Sequence, residues 1–234
     1  MNAAAHKKSA GAFAAAAALT CGGVGVAGTV DLPVQVGGGF HVSVASLKEV
    51  KFRATVRQQF DFSCGSAALS TLLTHHYGMP LSEEVIFAEM FANGDQAKIR
   101  QEGFSLLDIK MFLDHRGFVA DGFEAPLEKL AEARIPAIVL LKENGYSHFV
   151  IVKGVRDGRV LVGDPAGGTR VMTRSAFDAV WVNQILFVIS NRTDIAVFNA
   201  AADWSTAPRA PIGDGVNRDG VAGSLLLKHG PSDF

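Results

Sequence analysis

The chain has 234 residues, of which 48% are hydrophobic, and a formal net charge of -1 at pH 7. That length suffices for one well-buried domain with extra segments at its ends. The near-neutral balance and the lack of a sustained basic patch interleaved with aromatics exclude nucleic acid as the expected partner.

Residues 1–27 read as an export signal. His6, Lys7 and Lys8 form a positive start, and Ala10 to Leu19 make an apolar run too short to span a bilayer. Small residues follow, so cleavage is expected near Ala27. Thr20 before Cys21 makes a poor lipoprotein signal. Loss of Cys21 would leave Cys64 as the mature protein's single thiol: inert and buried, paired with another chain, or reactive.

Residues 28–50 are expected to hold a Gly- and Val-rich linker and a strand around Phe40 to Val44, before a domain over residues 51–193. Val50 to Val56 alternates loosely. Ser63 to Tyr77 carries a broad apolar face and ends at Gly78, which predicts a helix with Ser63 as its N-cap. Ser82 opens a second helix running to about Phe91, and Asn93 and Gly94 interrupt it. A third spans Ser105 to Gly117, and a short one Leu127 to Ala133. The period then changes. Ala137–Leu141, Phe149–Val155, Arg159–Val162 and Ile185–Ser190 read as strands, punctuated by Asn144-Gly145 and Asp157-Gly158. Helices followed by an antiparallel sheet make the α+β class. Residues 194–234 lose periodicity and read as a poorly ordered tail with at most one docking segment.

No GxxxxGK[ST] loop and no closely spaced His/Cys cluster occurs, so no nucleotide, no other cofactor and no metal is expected. His75 and His76, about 100° apart on a helix, read as surface residues at its end. His115 fits a helix C-terminus.

Cys64 lies at the first turn of its helix, where free amide groups and the helix dipole favour thiolate over thiol. His148, at the entrance of a strand, would stand at the sheet end where a helix N-terminus can face it. Asp164, at the end of the next strand, would come to the same end and orient the ring. An amide donor for an oxyanion is offered by either Gln58 or Gln59.

The ordered series Gln58, Asp61, Cys64-Gly65, Ala67-Ala68, Ser105-Leu106-Leu107, Pro136-Ala137-Ile138, His148-Phe149-Val150 and Asp164-Pro165 resembles the bacteriocin-processing cysteine endopeptidases, family thirty-nine of the papain-like cysteine peptidases. The resemblance spans roughly residues 53–189. It implies a papain-like α+β fold, with Cys64 as nucleophile, His148 as general base and acid, Asp164 as orienter and Gln58 as oxyanion donor. Gln59 has the weaker claim. Members often form the N-terminal domain of a peptide exporter and remove a leader ending in Gly-Gly. This sequence, with its expected signal and no transmembrane segment, is more similar to free-standing periplasmic relatives, especially the peptidase-like component of functional-amyloid secretion systems. The implied function is therefore an exported, periplasmic cysteine endopeptidase acting on an extended polypeptide of a secretion or amyloid-export system. The alternative is a peptide-binding or chaperone-like module that uses the same cleft without turnover.

Overall fold

The computed structural model of the protein describes residues 28–32 and 40–206. The expected signal peptide lies outside them. Two compact units divide at Ala45 and Ser46. In the first, β1 (Gly28–Leu32) pairs antiparallel with β2 (Phe40–Val44), Gly28 lying opposite Val44 and Leu32 opposite Phe40. The start of the expected linker is thus a strand, in keeping with the extended preference of Thr29 and Val30.

The second unit opens on α1 (Leu47–Phe52), started by a reciprocal capping box between Ser46 and Glu49. This helix corrects the loose strand-like alternation from Val50. Next comes α2 (Cys64–His76), buried on nearly every side. A helix hydrophobic all round has to run through the middle of a domain. Ser63 precedes it as expected but does not cap it; its hydroxyl donates to the Glu83 carboxylate at 2.5 Å. Around α2 lie α3 (Glu83–Asn93), α4 (Gln96–Glu102) and α5 (Leu106–Asp114), the last begun by a Ser105/Asp108 capping box and ended at His115. Helix α4 escapes the hydrophobic pattern because it buries only Ile99; Asp95 caps it.

The remaining elements are β3 (Ala120–Glu124), α6 (Glu128–Ala133), β4 (Ala137–Glu143), β5 (Tyr146–Arg156), β6 (Arg159–Asp164), β7 (Gly168–Thr173), α7 (Arg174–Asp178), β8 (Ile185–Ile189) and α8 (Ala201–Thr206). The six later strands form one antiparallel sheet in the order β3-β8-β4-β5-β6-β7. The expected α+β architecture is therefore present. Strand alternation divides the core in two. Ile138, Phe149, Ile151 and Phe187 pack with α2, α3 and α5, whereas Val139, Val150, Val152 and Val188 pack with Leu130 of α6 and Phe177 of α7.

The segment after Asp194 is another correction. The backbone of Val197 donates to the His76 carbonyl at 2.9 Å, Asn199 donates to the Lys153 carbonyl at 2.9 Å, and Trp204 is buried. Residues up to Thr206 thus belong to the packed unit, and those beyond lie outside the described residues. His76 is accordingly no surface residue. The docked segment covers it, and it contacts the Val197 carbonyl through Nδ1 at 2.7 Å. No helix among the described residues is long and apolar enough to cross a membrane.

Candidate active site

Two hairpins carry the acid–base groups to one end of the sheet. Asn144 and Gly145 both have positive φ, at 52° and 82°, as do Asp157 and Gly158, at 51° and 66°. Left-handed backbone at both turn positions suits a two-residue hairpin whose twist matches its strands. The first turn sets Leu141 opposite His148; the second joins β5 to β6 and returns the chain to Asp164.

His148 and Asp164 meet as expected. Nε2 of the ring lies 3.4 Å from Oδ2 of Asp164, with both side chains more than nine-tenths buried. That separation is at the long end for a hydrogen bond, as is common at acid–base sites without substrate. Asp164 divides its two oxygens between tasks. Oδ1 accepts from the backbone N–H groups of Ala166 (2.8 Å) and Gly167 (3.2 Å), closing the turn after Pro165, while Oδ2 faces the imidazole. Burial pushes this carboxyl up, yet the bonds from His148, Ala166 and Gly167 outweigh it and hold the group below its ordinary range. The other ring nitrogen, Nδ1, is buried and has no hydrogen-bond partner among the described residues.

Cys64 is a free, buried thiol at the start of α2. The backbone N–H groups of Phe149, the residue after His148, and of Gly65 and Cys64 favour the thiolate. Burial nevertheless pushes the thiol above its ordinary range, these N–H groups offset only part of that rise, and the charge on Asp164 adds to it. The helix end therefore acts in the direction the sequence suggests but does not prevail alone. Gly65 has a steric reason as well: a Cβ there would lie 2.9 Å from Cβ of Phe104.

The two glutamines separate clearly. The backbone N–H of Gln58 donates to the Pro165 carbonyl at 3.1 Å, tying it to the Asp164 turn, and its side-chain amide donates to the Phe60 carbonyl at 3.1 Å. Gln59 points its amide at Glu84, and its backbone N–H donates to Glu83 at 3.0 Å. Glu83 is buried and also accepts from Ser63, so one carboxylate pins the segment leading into Cys64.

Three further residues complete the site, and none was anticipated from sequence. Tyr146 stacks on the His148 ring at 5.9 Å, and its hydroxyl donates to the Asp61 carbonyl at 2.7 Å. Glu143 and Arg170 pair through both guanidinium terminal nitrogens, at 3.1 and 2.5 Å. Strand parity could have found Tyr146, two residues before His148 on the same face. Glu143, His148 and Asp164 offer ligand atoms within 4.8 Å of one another, and the guanidinium of Arg170 supplies the positive charge between the two carboxylates. A pocket of about 270 Å³ opens beside Phe149, lined by Ser105, Leu106, Ile138, Leu140 and Val182.

The family model described as the peptidase C39 family matches residues 53–193. The chain belongs to this family. Among curated relatives, the probable functional amyloid protease FapD of Pseudomonas aeruginosa is 39% identical over 70% of this chain and 72% of its own. The FapD of Pseudomonas fluorescens is 34% identical over 84% and 90% respectively. The peptidase domain of Streptococcus ComA, a transporter involved in quorum sensing, aligns with a TM-score of 0.49 at 22% identity, over 58% of this chain and 97% of that one. As a C39 member, the protein is a cysteine peptidase with the papain-like α+β fold of that family.

Proposed function

We propose that the protein is an exported thiol endopeptidase of the periplasm that cleaves an extended polypeptide belonging to a secretion or functional-amyloid system. Cys64, His148, Asp164 and Gln58 form its catalytic set. The observation that carries this is the division of the imidazole: Nε2 faces Asp164, while Nδ1 is buried with no hydrogen-bond partner among the described residues and so is free to take the thiol proton. The names of the two FapD relatives support the substrate class, and the positive start and apolar run within residues 1–27 support export.

In the first step the thiol proton passes to Nδ1 of His148 and the sulfur attacks the scissile carbonyl carbon. The negative charge gathers on the carbonyl oxygen, where the Cys64 backbone N–H and the Gln58 amide stabilise it. The C–N bond then breaks, the imidazolium protonates the leaving amine, and a thioester remains on Cys64. Water, deprotonated by His148, hydrolyses it and restores the thiol. Apolar side chains of the extended substrate occupy the pocket beside Phe149.

The test is cleavage of a proteome-derived peptide library, read by mass spectrometry, with the wild type, Cys64→Ala and His148→Ala. Cleavage by the wild type alone, with both variants folded by circular dichroism, is expected. Cleavage that persists in Cys64→Ala overturns the assignment.

A further inference from the structure

Four consecutive strands of the sheet each send one charged or titratable group to the same end. Glu143 closes β4, His148 enters β5, Asp164 closes β6 and Arg170 lies on β7. Nε2 of His148 is 3.4 Å from Asp164 and only slightly farther, 3.7 Å, from Oε2 of Glu143. Arg170 grips Glu143 through both terminal nitrogens and stands 3.4 Å from Oδ2 of Asp164. Its Nε is buried and has no partner among the described residues. The catalytic scheme above uses neither Glu143 nor Arg170.

We infer that Glu143 is a second carboxylate stabilising the His148 imidazolium, and that Arg170, paired with Glu143 and close to Asp164, offsets one of the two negative charges facing the ring. The inference rests on the proposed Cys64–His148 pair. Its physical content is a charge count. When the thiol proton moves to the ring, the imidazolium faces two carboxylates and one guanidinium, a net single negative charge. Tyr146 stacks on the ring from its own strand, and in the proposed pair the Cys64 sulfur faces it from α2. Asp164 alone against Arg170 would leave no net charge to favour the ion pair. Glu143 restores it.

The signs follow, and they differ between variants. Losing the Glu143 charge disfavours the imidazolium and so the ion pair; losing the Arg170 charge favours both. Damage to packing would lower reactivity in either case.

The experiment measures Cys64 alkylation by iodoacetamide in the full chain at pH 6 and pH 10. At pH 6 burial keeps an unpaired thiol protonated, so the rate reports the ion pair. At pH 10 an accessible thiol reacts with or without the imidazole. Relative to wild type at pH 6, Glu143→Gln is expected to slow labelling about tenfold and Arg170→Gln to speed it severalfold. Arg170→Lys, which keeps the charge, should stay near wild type. The double variant Glu143→Gln/Asp164→Asn should fall to the rate of His148→Ala. At pH 10 all should agree within about twofold, which controls for access and folding. Unchanged pH 6 rates in Glu143→Gln, or a slowing in both Glu143→Gln and Arg170→Gln, would overturn the inference. If His148→Ala itself labels like wild type at pH 6, it is the proposed catalytic pair that fails.

Discussion

Burial and the helix end act on the Cys64 sulfur in opposite directions, and burial wins. The thiol therefore depends on its imidazole for reactivity near neutral pH. Across a profile from pH 5 to 10, His148→Ala is expected to label with iodoacetamide only at pH above the ordinary thiol range, whereas the wild type labels near neutrality. Superimposable profiles would remove His148 as the base. The glutamines give a second residue-level test. Gln58 is tied to the Asp164 turn while Gln59 is committed to Glu83 and Glu84. Gln58→Ala should lower kcat for a library-derived peptide by about 10²- to 10³-fold, the usual cost of one oxyanion donor. Gln59→Ala should change it less than tenfold; the reverse ranking would transfer the role. The juxtaposition of His148 and Asp164 was legible in sequence because each stands at the mouth of a predicted strand, as Cys64 stands at a predicted helix start, whereas only the family resemblance preferred Gln58 to Gln59. Glu143 and Arg170 were not legible, because a charged residue on a strand ordinarily faces water. Only the lateral register of four strands brings these two to one ring.

At the scale of elements, legibility followed burial. Helices α2 and α5 and strands β4, β5 and β8 announce themselves through apolar runs that the sheet and helix layers bury. The missed α4 buries a single side chain, and β3 and β7 are edge strands. An edge strand packs on one neighbour only and so needs less of a hydrophobic signature. The closest approach in the site is also set by elements rather than by chemistry. Gly65 lies where α2 meets Phe104, just before α5, and the Phe149 ring. Gly65→Ala would put its Cβ 2.9 Å from the Phe104 Cβ, an atom fixed to the backbone, so one element has to shift. The expected cost is about 1–3 kcal/mol in urea denaturation, with slower Cys64 labelling because the helix start moves. Full stability in this variant would mean that the contact between α2 and Phe104 is loose.

At the largest scale, the second unit is closed by residues 197–206, a segment whose sequence looked poorly structured. Residues 197–206 hold on through two apolar side chains, Phe198 and Trp204, and several polar contacts, too few apolar positions to set a helix or strand period. Asp203 pairs with the fully buried Lys153 at 3.2 Å, Asn199 bonds the β5 backbone, and His76 meets the Val197 carbonyl. Burial, with Lys153 nearby, pushes His76 down to about 4, against an ordinary value near 6.5. Between these values the unfolded chain binds a proton at this position and the native chain does not, so stability rises with pH from about 4 to 6.5. The window lies above the one set by Asp164, whose carboxyl is held below its ordinary range and whose contribution is lost only at more acid pH. The two can therefore be told apart. Urea denaturation of the full chain at pH 4, 5, 6 and 7 should show the wild type losing roughly 3 kcal/mol across this interval on account of His76. His76→Gln, which can still donate to Val197 but cannot take up a proton in this range, should lose correspondingly less. Equal losses in the two proteins would show that His76 is not the acid-sensitive link between helix α2 and the C-terminal segment.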